Sequence, residues 1–218
     1  MISRCTGVAL AGGESTRFGG ARKGLLELGG RRIVDWTIEA LRGASDELLL
    51  ITNDPLISSA FADVRTRNDA RAERGSLVGL HSALTYCADA ALVVAWDMPF
   101  VSTALLTALR RRGEEVNAAV VPDGPGGPEP LCAYYPRACR DIIEQHLASS
   151  EMRLSHFVAA LPRRAPFPIE EVRKFGAPER LFANINSADD LAAAGALATA
   201  TDSSDAASRP PLSPSNSL

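Results

Sequence analysis

The 218-residue sequence predicts a three-layer α/β/α sandwich on a mostly parallel, Rossmann-like sheet. Three observations carry that expectation. Apolar runs of strand length recur at Thr6–Leu10, Glu47–Thr52, Ala91–Ala95 and Ala118–Val121, and runs without polar alternation are characteristic of strands buried on both faces. Segments of helical periodicity separate them, the alternation of an α/β fold. A glycine-rich stretch directly follows the first run, at the strand end where ligands gather in such folds.

Taken in order, Thr6–Leu10 is the first strand, deep in the sheet. Val8 to Lys23 then reads Val-Ala-Leu-Ala-Gly-Gly-Glu-Ser-Thr-Arg-Phe-Gly-Gly-Ala-Arg-Lys, with four glycines and three cations. Such a loop lets backbone amides approach anionic oxygens while Arg17 and Lys23 add positive charge. Leu25, Leu26 and Leu28 form a packing segment closed by a Gly29-Gly30 turn. Ile33, Trp36, Thr37, Ala40 and Leu41 recur at helical spacing, so Arg32–Arg42 is an amphipathic helix. The strand Glu47–Thr52 ends at Asn53-Asp54-Pro55. A short helical piece runs to Phe61, and an extended segment lies near Val64.

Asn68–Arg74 is a polar loop, and Gly75 opens a helix with apolar positions to Ala83 and Leu84. After Ala91–Ala95 comes Trp96-Asp97-Met98-Pro99-Phe100. Ser102 suits the N-cap of a helix through Leu109. Pro122–Pro130 is a Gly/Pro loop without regular structure. Leu131–Tyr135 is extended, and Pro136 fits the first turn of a helix to Leu147. Met152–Ala160 is a short helix. Residues 162–180 are irregular, with a strand around Ile169–Val172. Phe182–Ile185 closes the sheet, and Ser187-Ala188-Asp189-Asp190 caps a final helix through Leu197.

A hydrophobic fraction of 46% supplies a core for one domain over residues 1–198. Residues 199–218, rich in Ser, Ala, Asp and Pro, read as a disordered tail. A net charge of −3 offers no basic face for nucleic acid. No signal-peptide pattern and no apolar run of membrane-spanning length are seen, and the cytoplasm is the expected location. Cys5, Cys87, Cys132 and Cys139 are scattered, as are His81, His146 and His156, so neither a zinc site nor a disulfide framework is predicted.

The chemistry should sit where the glycine loop, Asn53 and Asp97 meet, since each follows a strand of the same sheet. Mg²⁺ prefers oxygen ligands and is commonly held by one or two carboxylates with substrate phosphates. Asp97 suits that role; the competing reading is a turn cap before Pro99. Lys23 and Arg17 are either phosphate ligands or solvated cations, and Asn53 either meets a base edge or supplies its turn. The loop is neither a Walker A sequence, since Gly24 follows Lys23, nor a Gly-x-Gly-x-x-Gly fingerprint.

Leu10-Ala11-Gly12-Gly13-x-Ser15-x-Arg17-Phe18-Gly19, followed by Lys23 and Leu25-Leu26, resembles the signature of the MobA-like nucleotidyltransferases, in particular their molybdenum cofactor guanylyltransferase branch. Gly75-Ser76-Leu77-Val78-Gly79, Trp96-Asp97-Met98-Pro99-Phe100, Pro130-Leu131-Cys132-Ala133-Tyr134 and Asn184 to Leu191 are similar to the later motifs, in family order. The resemblance implies a fold like the nucleotide-diphospho-sugar transferases. It implies transfer of GMP from Mg-GTP to the terminal phosphate of molybdopterin, and hand-over to molybdoenzymes or their chaperones. By position, Leu10, Ala11, Gly12 and Gly13 would meet the nucleotide, Lys23 and Arg17 its phosphates, and Asn53 the guanosine. Asp97 would hold Mg²⁺, while Asn184 and Asn186 would lie on the acceptor side.

This chain has Arg22 where family members commonly carry Asp, Ser76 in place of Pro, and Trp96 in place of Cys. The base-reading aspartate falls at Asn68 by ungapped counting and at Asp69 one residue on; Asp69 is preferred because a carboxylate only accepts hydrogen bonds. A cytidylyl- or sugar-phosphate nucleotidyltransferase, and a nucleotide-binding module without catalysis, are the competing readings.

Overall fold

The computed structural model of the protein describes residues 3–12, 23–187 and 189–194. Strand β1 (Cys5–Leu10) comes first. After a 3-10 turn at Lys23–Leu25, a hairpin of β2 (Glu27–Leu28) and β3 (Arg31–Arg32) leads into α1 (Ile33–Arg42), β4 (Glu47–Ile51), α2 (Pro55–Ser59) and β5 (Arg65–Arg67). Next come α3 (Ser76–Tyr86), β6 (Ala90–Ala95), α4 (Thr103–Val116), β7 (Ala119–Val120) and a second hairpin of β8 (Asp123–Gly124) and β9 (Gly127–Pro128). β10 (Cys132–Pro136), α5 (Cys139–Ala148), α6 (Leu154–Ala160), β11 (Arg164–Ala165), α7 (Ile169–Val172) and α8 (Pro178–Leu181) follow, and residues 189–194 are helical.

Seven strands form one sheet in the order β11-β7-β10-β6-β1-β4-β5. All run parallel except β10, which is antiparallel to both its neighbours. Side chains alternate between two cores. Cys5, Ala9, Leu50, Leu92, Val94 and Tyr134 face the layer of α1 and α4. Val8, Leu10, Leu49, Ile51, Val93 and Tyr135 face the layer of α3, α5 and α6. Both faces are thus apolar and covered, which is why the strand runs lack polar alternation. No described helix is long and apolar enough to cross a membrane.

Several local expectations are corrected. Ile169–Val172 is a helical turn and not a strand. Pro168 precedes it in extended geometry, Glu170 and Glu171 occupy its first turn, and only Val172 is buried; acidic residues at a helix start complement its dipole. Phe182–Ile185 does not join the sheet, because β11 takes the edge beside β7. Pro136 ends β10 opposite Ala90, and the following helix starts at Cys139. Pro122–Pro130 contains the β8–β9 hairpin, turned at residues 125–126, with Gly127 at φ +116° opening β9. The cap before the last helix is as expected: Ser187 Oγ accepts from Asp190 N at 3.1 Å, and the Asp190 carboxylate accepts from Asn186 N at 2.9 Å. The continuation to Leu197 and the tail lie outside the described residues.

Candidate active site

Leu10 stands opposite Ala95 on one side and Ile51 on the other, so β1, β4 and β6 end together on one edge of the sheet. The backbone just beyond these ends is tightly held. Ala11 N donates to Ile51 O at 2.9 Å, and Trp96 N to Leu10 O at 3.2 Å. Leu10 and Ala11, expected at the nucleotide, thus have these backbone groups engaged within the sheet edge, whereas Gly12 is exposed and has open space where a β-carbon would stand. Gly13, Arg17 and Arg22 lie outside the described residues.

Asp97 follows β6 in a turn fixed from two further directions. The hydroxyl of Thr37, fully buried in α1, lies 3.4 Å from Trp96 O and 3.3 Å from Met98 O. Ile185 N donates to Asp97 O at 3.0 Å, which ties the C-terminal segment to the same turn. Lys23 opens the 3-10 turn opposite. Its Nζ lies 3.5 Å from Asp97 Oδ2 and donates to Asn186 Oδ1 at 2.6 Å. The side chains of Lys23 and Asp97 are each only 15% exposed. Burial pushes the Asp97 carboxyl above its usual range, and the Lys23 charge offsets this only in part. A desolvated carboxylate beside a cation and an open glycine backbone suits a divalent ion held mainly by phosphate and water oxygens. Among the described residues no three His, Cys, Asp or Glu side chains gather as a metal cluster, and Asp97 is the carboxylate that the described residues place beside Lys23.

A second cluster lies past the end of β4. Asn53 and Asp69 bond reciprocally: Asn53 Nδ2 donates to Asp69 Oδ2 at 2.6 Å, and Asp69 N to Asn53 Oδ1 at 2.8 Å. Asn68 is exposed, so the residue built into this edge is Asp69. Ser82 in α3 lies 3.0 Å from Asp69 Oδ1 and accepts from Ala70 N at 2.9 Å. Gly75 precedes helix α3 as its N-cap, with a φ of +132° that few other residues adopt.

Of the residues expected on the acceptor side, Asn184 is exposed, and Asn186 accepts from Lys23 Nζ. Sequence reasoning missed Thr37 and Ser82 as site-supporting groups; a hydroxyl on an otherwise buried helix face was the available signal. It also missed Glu129, a half-buried carboxyl just before β10 whose pKa burial raises to about 7.

Residues 7–165 match the model of the MobA-like NTP transferase domain. The chain belongs to that family. It is 35% identical over 189 residues to a protein of Desulfosudis oleivorans named molybdenum cofactor guanylyltransferase, covering 85% of this chain and 92% of that one. A protein of the same name from Cereibacter sphaeroides is 34% identical over 89% of this chain and 97% of its own. Among solved structures, molybdopterin-guanine dinucleotide biosynthesis protein A from Archaeoglobus fulgidus superposes with a TM-score of 0.78 at 28% identity, over 89% of this chain and 99% of that one. The MobA-like fold thus extends beyond residue 165, to the segment that brings Asn186 onto Lys23.

Proposed function

We propose that this protein transfers GMP from GTP to the terminal phosphate of molybdopterin, with Mg²⁺, and releases pyrophosphate. The observation that carries this reading is the Lys23–Asp97 pair, a cation and a carboxylate 3.5 Å apart beside the ends of β1 and β6. Its relatives' names supply the substrates.

In the reaction, an oxygen of the acceptor phosphate bonds to the α-phosphorus of GTP while the bond to the β,γ-pyrophosphate breaks. The electron pair leaves with pyrophosphate. Positioning and charge neutralisation suffice for such a displacement, so no protein nucleophile is required. Lys23 places its ammonium against the phosphate oxygens, and Arg17 is assigned to the same task. Asp97 is the residue that would hold Mg²⁺, which when bound neutralises phosphate charge. Asn186 holds the Lys23 side chain in place.

Asp69 is assigned to the base. Guanine presents N1–H and N2–H₂ side by side as donors, which matches an acceptor-only carboxylate; cytosine sets a donor beside an acceptor. Incubation with each of the four NTPs, Mg²⁺ and molybdopterin tests the assignment. Pyrophosphate is expected with GTP. Release with CTP and not GTP would make the protein a cytidylyltransferase, and GTP binding without release would make it a non-catalytic module.

A further inference from the structure

We infer that Ser82 is a positioning residue for nucleotide selectivity, acting through Asp69; this rests on Asp69 reading the guanine. Ser82 is fully buried on α3, with its hydroxyl at the junction of three groups. Ala70 N donates to it at 2.9 Å, Asp69 Oδ1 lies at 3.0 Å, and Val78 O at 2.8 Å. A hydroxyl has one proton, so it serves either the carboxylate or the helix carbonyl. The carboxylate is the stronger acceptor because the bond is charge-assisted. Ser82 thus pins both the backbone after Asp69 and one of its oxygens, while Asn53 Nδ2 takes the other oxygen at 2.6 Å.

The count of lone pairs gives this arrangement its consequence. An ionised carboxylate has about four acceptor positions, two on each oxygen. Ser82 occupies one on Oδ1 and Asn53 one on Oδ2, which leaves one on each oxygen. Those two are what the adjacent N1–H and N2–H donors of guanine require. Asn53 contacts Asp69 through both its Oδ1 and its Nδ2, so it braces the base reader while keeping one N–H and one lone pair of its own. Without Ser82 the carboxylate can rotate, and its two free positions no longer stay aligned with the two donors.

The test compares GTP with ITP, which lacks the N2 amine, in wild type, Ser82→Ala, Ser82→Thr and Asp69→Asn. Ser82→Ala should raise KM for GTP about tenfold, leave kcat within about twofold, and shrink the GTP-over-ITP preference. Ser82→Thr, which keeps the hydroxyl, should restore that preference. Asp69→Asn should abolish it. If Ser82→Ala keeps the wild-type preference, or loses kcat equally for both nucleotides along with thermal stability, Ser82 is only a structural residue and the inference is overturned. If Asp69→Asn keeps the preference, the assignment of the base to Asp69 has itself failed. Melting curves on each variant separate lost selectivity from lost folding.

Discussion

Gly24 and Trp96 pack so closely that a β-carbon on the glycine would lie 2.2 Å from Cε3 of the indole. Trp96 is buried, and Gly24 follows Lys23 in the same 3-10 turn. The glycine therefore admits the ring, and the ring supports the turn that presents Lys23 to Asp97. The two positions therefore form one packing unit.

That unit predicts a coupled pair of substitutions. Gly24→Ala alone should destabilise the protein by about 1–3 kcal/mol through overpacking and lower activity by displacing Lys23. Combining it with Trp96→Cys should recover part of both losses. A double-mutant cycle in melting and turnover measures the coupling; additive effects would mean the ring does not position the turn.

Asp97→Asn should reduce turnover by about 10²–10³-fold, the loss typical when charge stabilisation is removed from a reacting centre. Stability should respond differently. The Asp97 carboxyl is raised from 3.8 chiefly by desolvation, so the folded state binds its proton more tightly than the unfolded chain does. Stability is then lost as pH climbs through the carboxylate range up to the raised folded value. Thermal melts at pH 8 should place the Asn variant at or above wild type; a clearly lower melting temperature would show the ion pair with Lys23 to be structural.

Asn186 offers a graded test of how Lys23 is held. Asn186→Ala removes the 2.6 Å bond and should raise the apparent KM for GTP several-fold. Asn186→Asp puts a second negative charge against the same ammonium and should raise KM further, since it competes with phosphate for Lys23. Steady-state kinetics with rising salt should narrow the gap between the two variants.

Glu129 gives a pH prediction independent of turnover. Burial raises its carboxyl from 4.5 to about 7, so the folded protein loses stability across that window and not outside it. Glu129→Gln should be more stable than wild type at pH 8 by on the order of 1 kcal/mol, discounted because the group is partly solvated. At pH 4 the two proteins should melt together. Equal melting at both pH values would show that the carboxyl carries no desolvation penalty.

The legibility of this architecture follows from burial. Strands covered on both faces announce themselves as apolar runs, so β1, β4 and β6 and their shared edge are readable, and with them Lys23, Asn53 and Asp97. Direction is not readable: Cys132–Pro136 is as apolar as the parallel strands of the sheet, and its antiparallel course depends on the connections around it. Four residues such as Ile169–Val172 are too few to display a period, and there the tertiary ion pair of Glu171 with Arg112 at 2.8 Å holds a helical turn. The supporting hydroxyls were hidden for another reason. Thr37 acts on carbonyls 59 and 61 residues away, and Ser82 on a carboxylate 13 residues back, so no local pattern marks either one.

In the proposed reaction GMP passes from GTP to an acceptor phosphate at the Lys23–Asp97 edge. That transfer is tested most directly with GTP radiolabelled at the α-phosphorus, molybdopterin and Mg²⁺. Label should move into a molybdopterin–guanine dinucleotide with one pyrophosphate released per transfer, and Asp97→Asn should block both. Label that stays in GTP, or leaves it as free GMP while molybdopterin is unchanged, would contradict it.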